Sequence, residues 1–303
     1  MSRLRQFRRK VEKKLRRRAV AKAFTDPSRD IVHLEFDHIS IGMFAQLSYC
    51  VKIAQLAERH GKRPVMRLLS ANYRDTPQSP EWFGTYFVNK AAGDLADDLR
   101  PTRFLFRDEL PKIGLIETLE ETAELFARHY GIAPDIEAQV AALAQELSIG
   151  PQTLTLHYRG TDKFVEAPLQ EAEDVLERVA RYADSQQGVE NIFVSSDEAA
   201  FVERALKGVG GRRVVALEDS VRSDNGQALH LPGFREGNSA MGRDAVLNAL
   251  MLSRGGWLCR TASFLSAWSV LFNPSIKVAL LSVPHEETTW QFEKLILKRA
   301  KRI

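Results

Sequence analysis

Three short segments place phosphate-binding residue types where a strand gives way to a loop or helix. In Leu154-Thr-Leu-His157-Tyr-Arg159-Gly160-Thr161-Asp162-Lys163, an alternating apolar strand ends in a polar cluster. Arg159 offers a planar fork suited to two phosphate oxygens, Lys163 a point charge, and Asp162 stands where it would orient either cation. In Ile192-Phe-Val-Ser195-Ser196-Asp197-Glu198, Ser196 or Asp197 would cap a helix whose exposed N–H groups attract an anion. The third segment runs from Leu247-Asn248 to Ser253 and then through Cys259-Arg-Thr261-Ala-Ser263, with Thr261 and Ser263 at another strand-to-helix junction. Together the junctions would make a phosphate cradle at the carboxyl ends of an open sheet. Taken singly, each has a plainer reading: surface charges at a strand exit, or ordinary helix capping.

These residues need a sheet to bring them together, and the chain's periodicity supplies one. Strands are expected at 153–159, 191–195, 213–217, 256–260 and 276–281, with helices at 169–183, 198–206, 241–254 and 263–272 between them and a last helix over 287–302. Helices separating short apolar strands imply parallel pairing. The first half begins similarly, with strand 31–36, helix 41–60 and strand 64–69. A turn-rich stretch over 70–90 then carries Trp82, Phe83, Tyr86 and Phe87 and reads as a surface excursion. A short strand at 104–107 and helices at 117–130 and 134–147 lead to Gly150-Pro151, the expected domain boundary. The organisation is thus a basic arm over 1–24, an α/β domain over 25–150 and a second over 151–303, the two facing a cleft.

Composition narrows the classes further. The chain of 303 residues is 44% hydrophobic and 27% charged, as globular proteins are, and it has only Cys50 and Cys259, each in an apolar stretch. Disorder, a coiled coil, a disulfide framework and a cysteine-based zinc site are all poor readings. Residues 1–22 hold eleven Lys or Arg against Glu12 alone, which gives the arm +10 and, from a total of +4, leaves the rest at −6. Within the arm Leu4, Phe7, Val11 and Leu15 recur at helical spacing, so a helix would carry an apolar stripe among cations. That suits an anionic membrane surface, and a solvated basic tail suits it equally. Nucleic acid is not an expected partner, because the main body is acidic. Absence of a spanning or secretory segment points to a cytoplasmic protein, peripheral at the inner membrane face if the arm binds there.

The motifs and their order resemble the α-1,6-fucosyltransferase family, both the core enzymes of animals and the bacterial nodulation enzymes, with kinship to α-1,2- and protein O-fucosyltransferases. The family's His-x-Arg-Arg followed by Thr-Asp-Lys looks like His157 to Lys163, with Gly160 replacing the second Arg. Its strand into Thr-Asp-Asp is similar to Phe193 to Glu198, and its Leu-Ser followed by Cys-Thr-x-Ser resembles Leu252-Ser253 and Cys259 to Ser263. In the first half, Gly42-Met-Phe-Ala-Gln46 loosely resembles a Gly-x-x-x-Gln turn of related enzymes.

The resemblance implies two Rossmann-like domains of the GT-B type or a variant, and an inverting transfer of fucose from GDP-fucose to a glycan or lipid-linked acceptor. It implies no cofactor and no metal, and the sequence agrees in lacking Asp-x-Asp and any histidine ligand spacing. Arg159 and Lys163 would meet the charge on the departing diphosphate, and Glu166, just past Thr161-Asp162-Lys163, would be the base on the acceptor hydroxyl. His157, Asp162, Ser196, Asp197, Asn248, Thr261 and Ser263 would complete the donor site. Asn248 falls where the family has a guanine-reading Asp, with Asp244 one turn earlier, so a different nucleotide sugar stays open. So does a noncatalytic nucleotide or sugar binder, for which Glu166 would have no use. Acceptor candidates are Asp37 and His38 at a strand exit and Trp82 and Tyr86 as stacking faces, although a loop aromatic more often anchors its own core.

Overall fold

Short apolar strands alternating with amphipathic helices produce parallel sheets in the computed structural model, which describes residues 3–37, 41–70, 72–73, 81–114, 116, 118–160, 168, 170–223, 239–285 and 291–303. The chain divides into two compact units, one of Met1–Ile116, Glu124–Ala133 and Gly237–Ser239, the other of Glu117–Ala123, Pro134–Glu236 and Ala240–Ile303.

The first unit begins with α1 (Arg3–Thr25), followed by β1 (Ile31–Asp37), α2 (Met43–Arg59) and β2 (Arg63–Leu69). After α3 (Phe83–Tyr86), β3 (Phe87–Asn89) and β4 (Thr102–Phe104), the chain enters α4 (Leu119–His129), which runs into β5 (Tyr130–Ile132). β1 lies between β2 and β4, parallel to both. The expected surface excursion is corrected in its described part. Trp82, Phe83, Tyr86 and Phe87 are all buried, and β3 pairs antiparallel with β5. Their apolar area makes the segment a second small core rather than a loop. The expected strand at 104–107 is likewise shifted, since β4 ends at Phe104 and Arg107–Glu109 forms a tight 3-10 turn.

The second unit continues with α5 (Pro134–Glu146), β6 (Thr153–Tyr158), α6 (Ala172–Asp184), β7 (Asn191–Ser196), α7 (Ala199–Leu206) and β8 (Arg213–Val215). Then come α8 (Ser239–Ser253), β9 (Trp257–Arg260), α9 (Phe264–Phe272), β10 (Lys277–Leu280), α10 (Gln291–Arg299) and β11 (Lys301–Arg302). The six strands are ordered β11-β10-β9-β6-β7-β8 and every pairing is parallel. β6, β7 and β9 are buried along their whole length, as strands of a parallel sheet covered on both faces should be, even where Thr alternates with Leu in β6. The last helix is shorter than its periodicity predicts, because residues 301–302 leave it to add an edge strand beside β10. Among the described residues no helix is long and apolar enough to cross a membrane.

Candidate functional site

From β6 the chain moves outward through β7 to β8, then returns to place β9 on the other side of β6 and moves outward again through β10 to β11. The order therefore reverses between β6 and β9, and in an open α/β sheet a ligand binds beyond the carboxyl ends of the strands at that reversal. His157, Arg159, Thr261 and Ser263 lie there. The Arg159 N–H donates to Thr261 Oγ1 at 2.9 Å and the Thr261 N–H to the His157 carbonyl at 3.0 Å, so the two strand exits are stitched together. The buried His157 ring has Thr261 Oγ1 3.5 Å from Nδ1 and Ser263 Oγ 3.5 Å from Nε2. Ser263 caps α9, accepting from the Ser266 N–H at 3.1 Å. From the neighbouring strand, Asp197 Oδ2 stands 3.6 Å from Arg159 Nε, and Ser196 Oγ accepts from the Glu198 N–H at 3.1 Å. Two hydroxyls and a capped helix N-terminus thus adjoin the Arg159 backbone, and the Arg159 guanidinium stands beside Asp197 on the neighbouring strand.

Beneath this cluster lies a fully buried ion pair. Arg260, the last residue of β9, donates to both Glu293 carboxylate oxygens on α10, at 2.8 and 2.9 Å, and both side chains are 0% exposed. Two further N–H groups reach Ser266 Oγ at 2.8 Å and the Ser263 carbonyl at 3.1 Å. Four of the five guanidinium N–H groups are thus engaged, two by Glu293 and two by residues that shape the start of α9, whose geometry the side chain fixes.

Two other polar features belong to the same unit. On α8, Asp244 Oδ1 accepts from Ser220 Oγ at 2.7 Å and from Asn248 Nδ2 at 3.0 Å. Burial pushes the Asp244 carboxyl up to about 6, against the pull of these hydrogen bonds and of Arg222. At the exit of β6, a Cβ on Gly160 would lie 2.1 Å from Glu198 Oε1 and 2.9 Å from Tyr158 Cε1. The missing side chain is thus the space that the Glu198 carboxylate fills. Burial, and after it the charge of Asp197, raises the Glu198 carboxyl.

No family model matches the sequence, and no curated protein matches it. Solved structures do. A NodZ α-1,6-fucosyltransferase co-crystallised with GDP superposes with a TM-score of 0.51 at 15% identity, covering 80% of this chain and 93% of that one. The same protein type soaked with GDP-fucose gives 0.52 at 16% identity over 80% and 93%, and fucosyltransferase NodZ from Bradyrhizobium gives 0.52 at 15% over 80% and 94%. The chain has the fold of the α-1,6-fucosyltransferases.

Within this fucosyltransferase fold, the structure brings His157, Arg159, Ser196, Asp197, Thr261 and Ser263 to adjoining strand ends. Asn248 is not joined to that group by its side-chain hydrogen bonds, which go to Ser220 and Asp244. Asp162, Lys163, Glu166 and His38 lie outside the described residues. In the first unit, the acceptor expectations for Trp82 and Tyr86 are corrected. Both are buried among Tyr73, Phe83 and Phe87, and Trp82 Nε1 donates to the buried Gln46 Oε1 at 3.0 Å, so neither ring offers a face to a sugar. Gln46 also donates to the Ile41 carbonyl at 3.0 Å, which makes the Gly42 to Gln46 turn a brace. Asp37 is ion-paired with Arg103. Among the described residues no group of three or more His, Cys, Asp or Glu side chains is placed to hold a metal.

Arg260, Glu293, Ser266 and Ser220 are the contributors that motif reading passes over. Arg260 carried a signal, since a lone cation in the apolar run from Trp257 to Phe272 must find a partner. Which of many acidic residues that partner is depends on the docking of α10, and spacing does not reveal it.

Proposed function

We propose that this chain is an inverting, metal-independent glycosyltransferase that moves fucose from GDP-fucose to a glycan or lipid-linked acceptor. The observation that carries the reading is the convergence of Arg159, Thr261 and the capped start of α9 at the strand-order reversal of a fucosyltransferase fold. In this reading the chain is a GT-B type enzyme of two halves, residues 25–150 on the acceptor side and residues 151–303 holding the donor. Arg159 binds the diphosphate, assisted by Lys163 and the N–H groups at the start of α9, and it stabilises the charge that grows as the bond to the sugar breaks. The hydroxyls of Thr261 and Ser263 hold the strand exits against the nucleotide, and Asp162, Ser196 and Asp197 orient the cations. Asp244 and Asn248 provide the acceptor atoms and the amide that read a base, with guanine's N–H donors as the natural match for the Asp244 carboxylate.

The step itself is a single displacement. Glu166 takes the proton of the acceptor hydroxyl, the hydroxyl oxygen forms a bond to the anomeric carbon from the face opposite the diphosphate, and the carbon–oxygen bond to GDP breaks with its electron pair. One attack from one face inverts the anomeric centre. Calorimetric titration with GDP, UDP and GDP-fucose, each with and without EDTA, tests the donor. GDP is expected to bind in preference to UDP and to be unaffected by EDTA, and loss of binding on chelation would remove the metal-independent reading. Glu166→Gln separates transfer from mere binding: donor affinity should persist while turnover falls about a hundredfold or more.

A further inference from the structure

α1 carries two faces of opposite fate. Val20 and Phe24 are buried, the Phe24 ring lies 6.0 Å from that of His60, and Arg16 Nε pairs at 2.9 Å with Glu109 Oε1, which is itself buried. One turn earlier Lys13 pairs with Asp108 and lies over the Phe106 ring, 5.4 Å from its centroid. At about 100° per residue these four positions define one side of the helix, and Phe7, Val11 and Leu15 fall about 180° away. Those three are exposed by 66%, 41% and 58%. Lys14, Arg18 and Lys22, all exposed, occupy the same outward side, with Lys10 and Arg8 on its two flanks.

We infer that this outward side of α1 is a docking surface for an anionic lipid bilayer. Burying Val20 and Phe24 explains why the helix is anchored to the first unit, but nothing in that packing uses the stripe on the other side. The occupant must therefore accept large apolar side chains and cations on one face. A lipid surface does both, taking Phe7, Val11 and Leu15 below the headgroups while the lysine and arginine stems reach back to the phosphates. Nucleic acid would engage the cations and leave the three apolar side chains without a role. Each cation near an anionic surface contributes roughly a fivefold gain in partitioning, so several can retain the protein reversibly where three apolar side chains alone could not. The inference is independent of which donor the second unit binds.

Removing the arm is a poor test, because it would strip Val20, Phe24 and the partner of Glu109 from the first unit. Substitutions on the outward side leave those contacts in place. Flotation of the full chain with phosphatidylcholine vesicles, with and without phosphatidylglycerol, at low and high salt, is the measurement. The wild type should float only with the phosphatidylglycerol vesicles and be released by salt. The triple variant Phe7→Gln, Val11→Gln, Leu15→Gln keeps the helix propensity and the charge. It should lose about tenfold or more of its partitioning while keeping its retention on heparin. The triple variant Lys14→Glu, Arg18→Glu, Lys22→Glu should lose both. A wild type that does not float with phosphatidylglycerol at low salt overturns the inference, as does a glutamine variant that floats like the wild type. The latter result would make the surface a polyanion site.

Discussion

β1 and β6 hold the same place in their sheets, each a central parallel strand running into polar residues, yet their carboxyl ends are used in opposite ways. Beyond β6, the Arg159 backbone N–H, the hydroxyls of Thr261 and Ser263 and the start of α9 are drawn together, and the buried Arg260–Glu293 pair holds the start of α9 in place. Beyond β1, Asp37 is paired with Arg103, and the nearby helix α2 gives Gln46 to Trp82 and the Ile41 carbonyl. The first arrangement joins two strand exits to a capped helix start, while the second commits its polar groups to an ion pair and to an aromatic core. A strand exit rich in polar residues is therefore not itself a site, and what distinguishes the two is whether rigid neighbours aim those groups together.

Several substitutions would sharpen that contrast or break it. The largest effect is expected from Glu293→Ala, which leaves Arg260 buried without its counter-ion and should cost about 3–5 kcal/mol of stability. Denaturant unfolding measures this, and a well-packed apolar replacement of both partners should recover much of the loss. If the single variant is as stable as the wild type, the pair does not brace the cradle. Arg159→Ala should weaken GDP by about 2–4 kcal/mol in calorimetry with the fold intact, as expected for a desolvated phosphate contact. Unchanged affinity would make the β6 exit no more a site than the β1 exit.

A pH effect follows from Asp244, whose folded carboxyl is raised to about 6 from an ordinary 3.8. The folded state then holds a proton that the unfolded state has released, so the contribution of this group to stability falls as pH rises between those values. Its full size is on the order of 3 kcal/mol. Asp244→Asn should flatten that part of the stability profile, and an unchanged slope would show that another group sets it. In the first unit, Gln46→Ala strands the buried indole N–H of Trp82, for about 1–3 kcal/mol of stability and no loss of GDP affinity. Reduced GDP binding there would erase the contrast between the units. The smallest effect belongs to Gly160→Ala, which displaces the end of Glu198 and presses on the edge of the Tyr158 ring, and should cost about 1 kcal/mol. Combining it with Glu198→Ala should restore most of that in a double-mutant cycle.

Much of the second unit was legible because short apolar or alternating strands are separated by helical periods, and strand exits are marked by abrupt polarity, as at His157-Tyr-Arg159 and Ser195-Ser196-Asp197. The aromatic segment after β2 was not, since turn residues around Trp82 resemble a surface loop until the antiparallel pairing of β3 with β5 closes a core around it. Strands as short as β3 and β11 have too few residues to show a period. The Arg260–Glu293 pair and the approach of Ser220 to Asp244 and Asn248 join residues far apart in the chain, and such pairings are products of topology rather than of spacing.

The dependence of β9 on α10 also has a meaning for the chain as it is made. A nascent polypeptide that has emerged through α9 already contains every strand-exit residue of the proposed donor cradle, but Arg260 has no carboxylate to meet until residues 291–299 leave the ribosome. Until then the guanidinium resists burial, and the junction that Ser263 and Ser266 complete stays unsettled. The strand exits of β6 and β9 are thus fixed only once α10 has docked against them, and on the proposed function the donor cradle is complete only from that point.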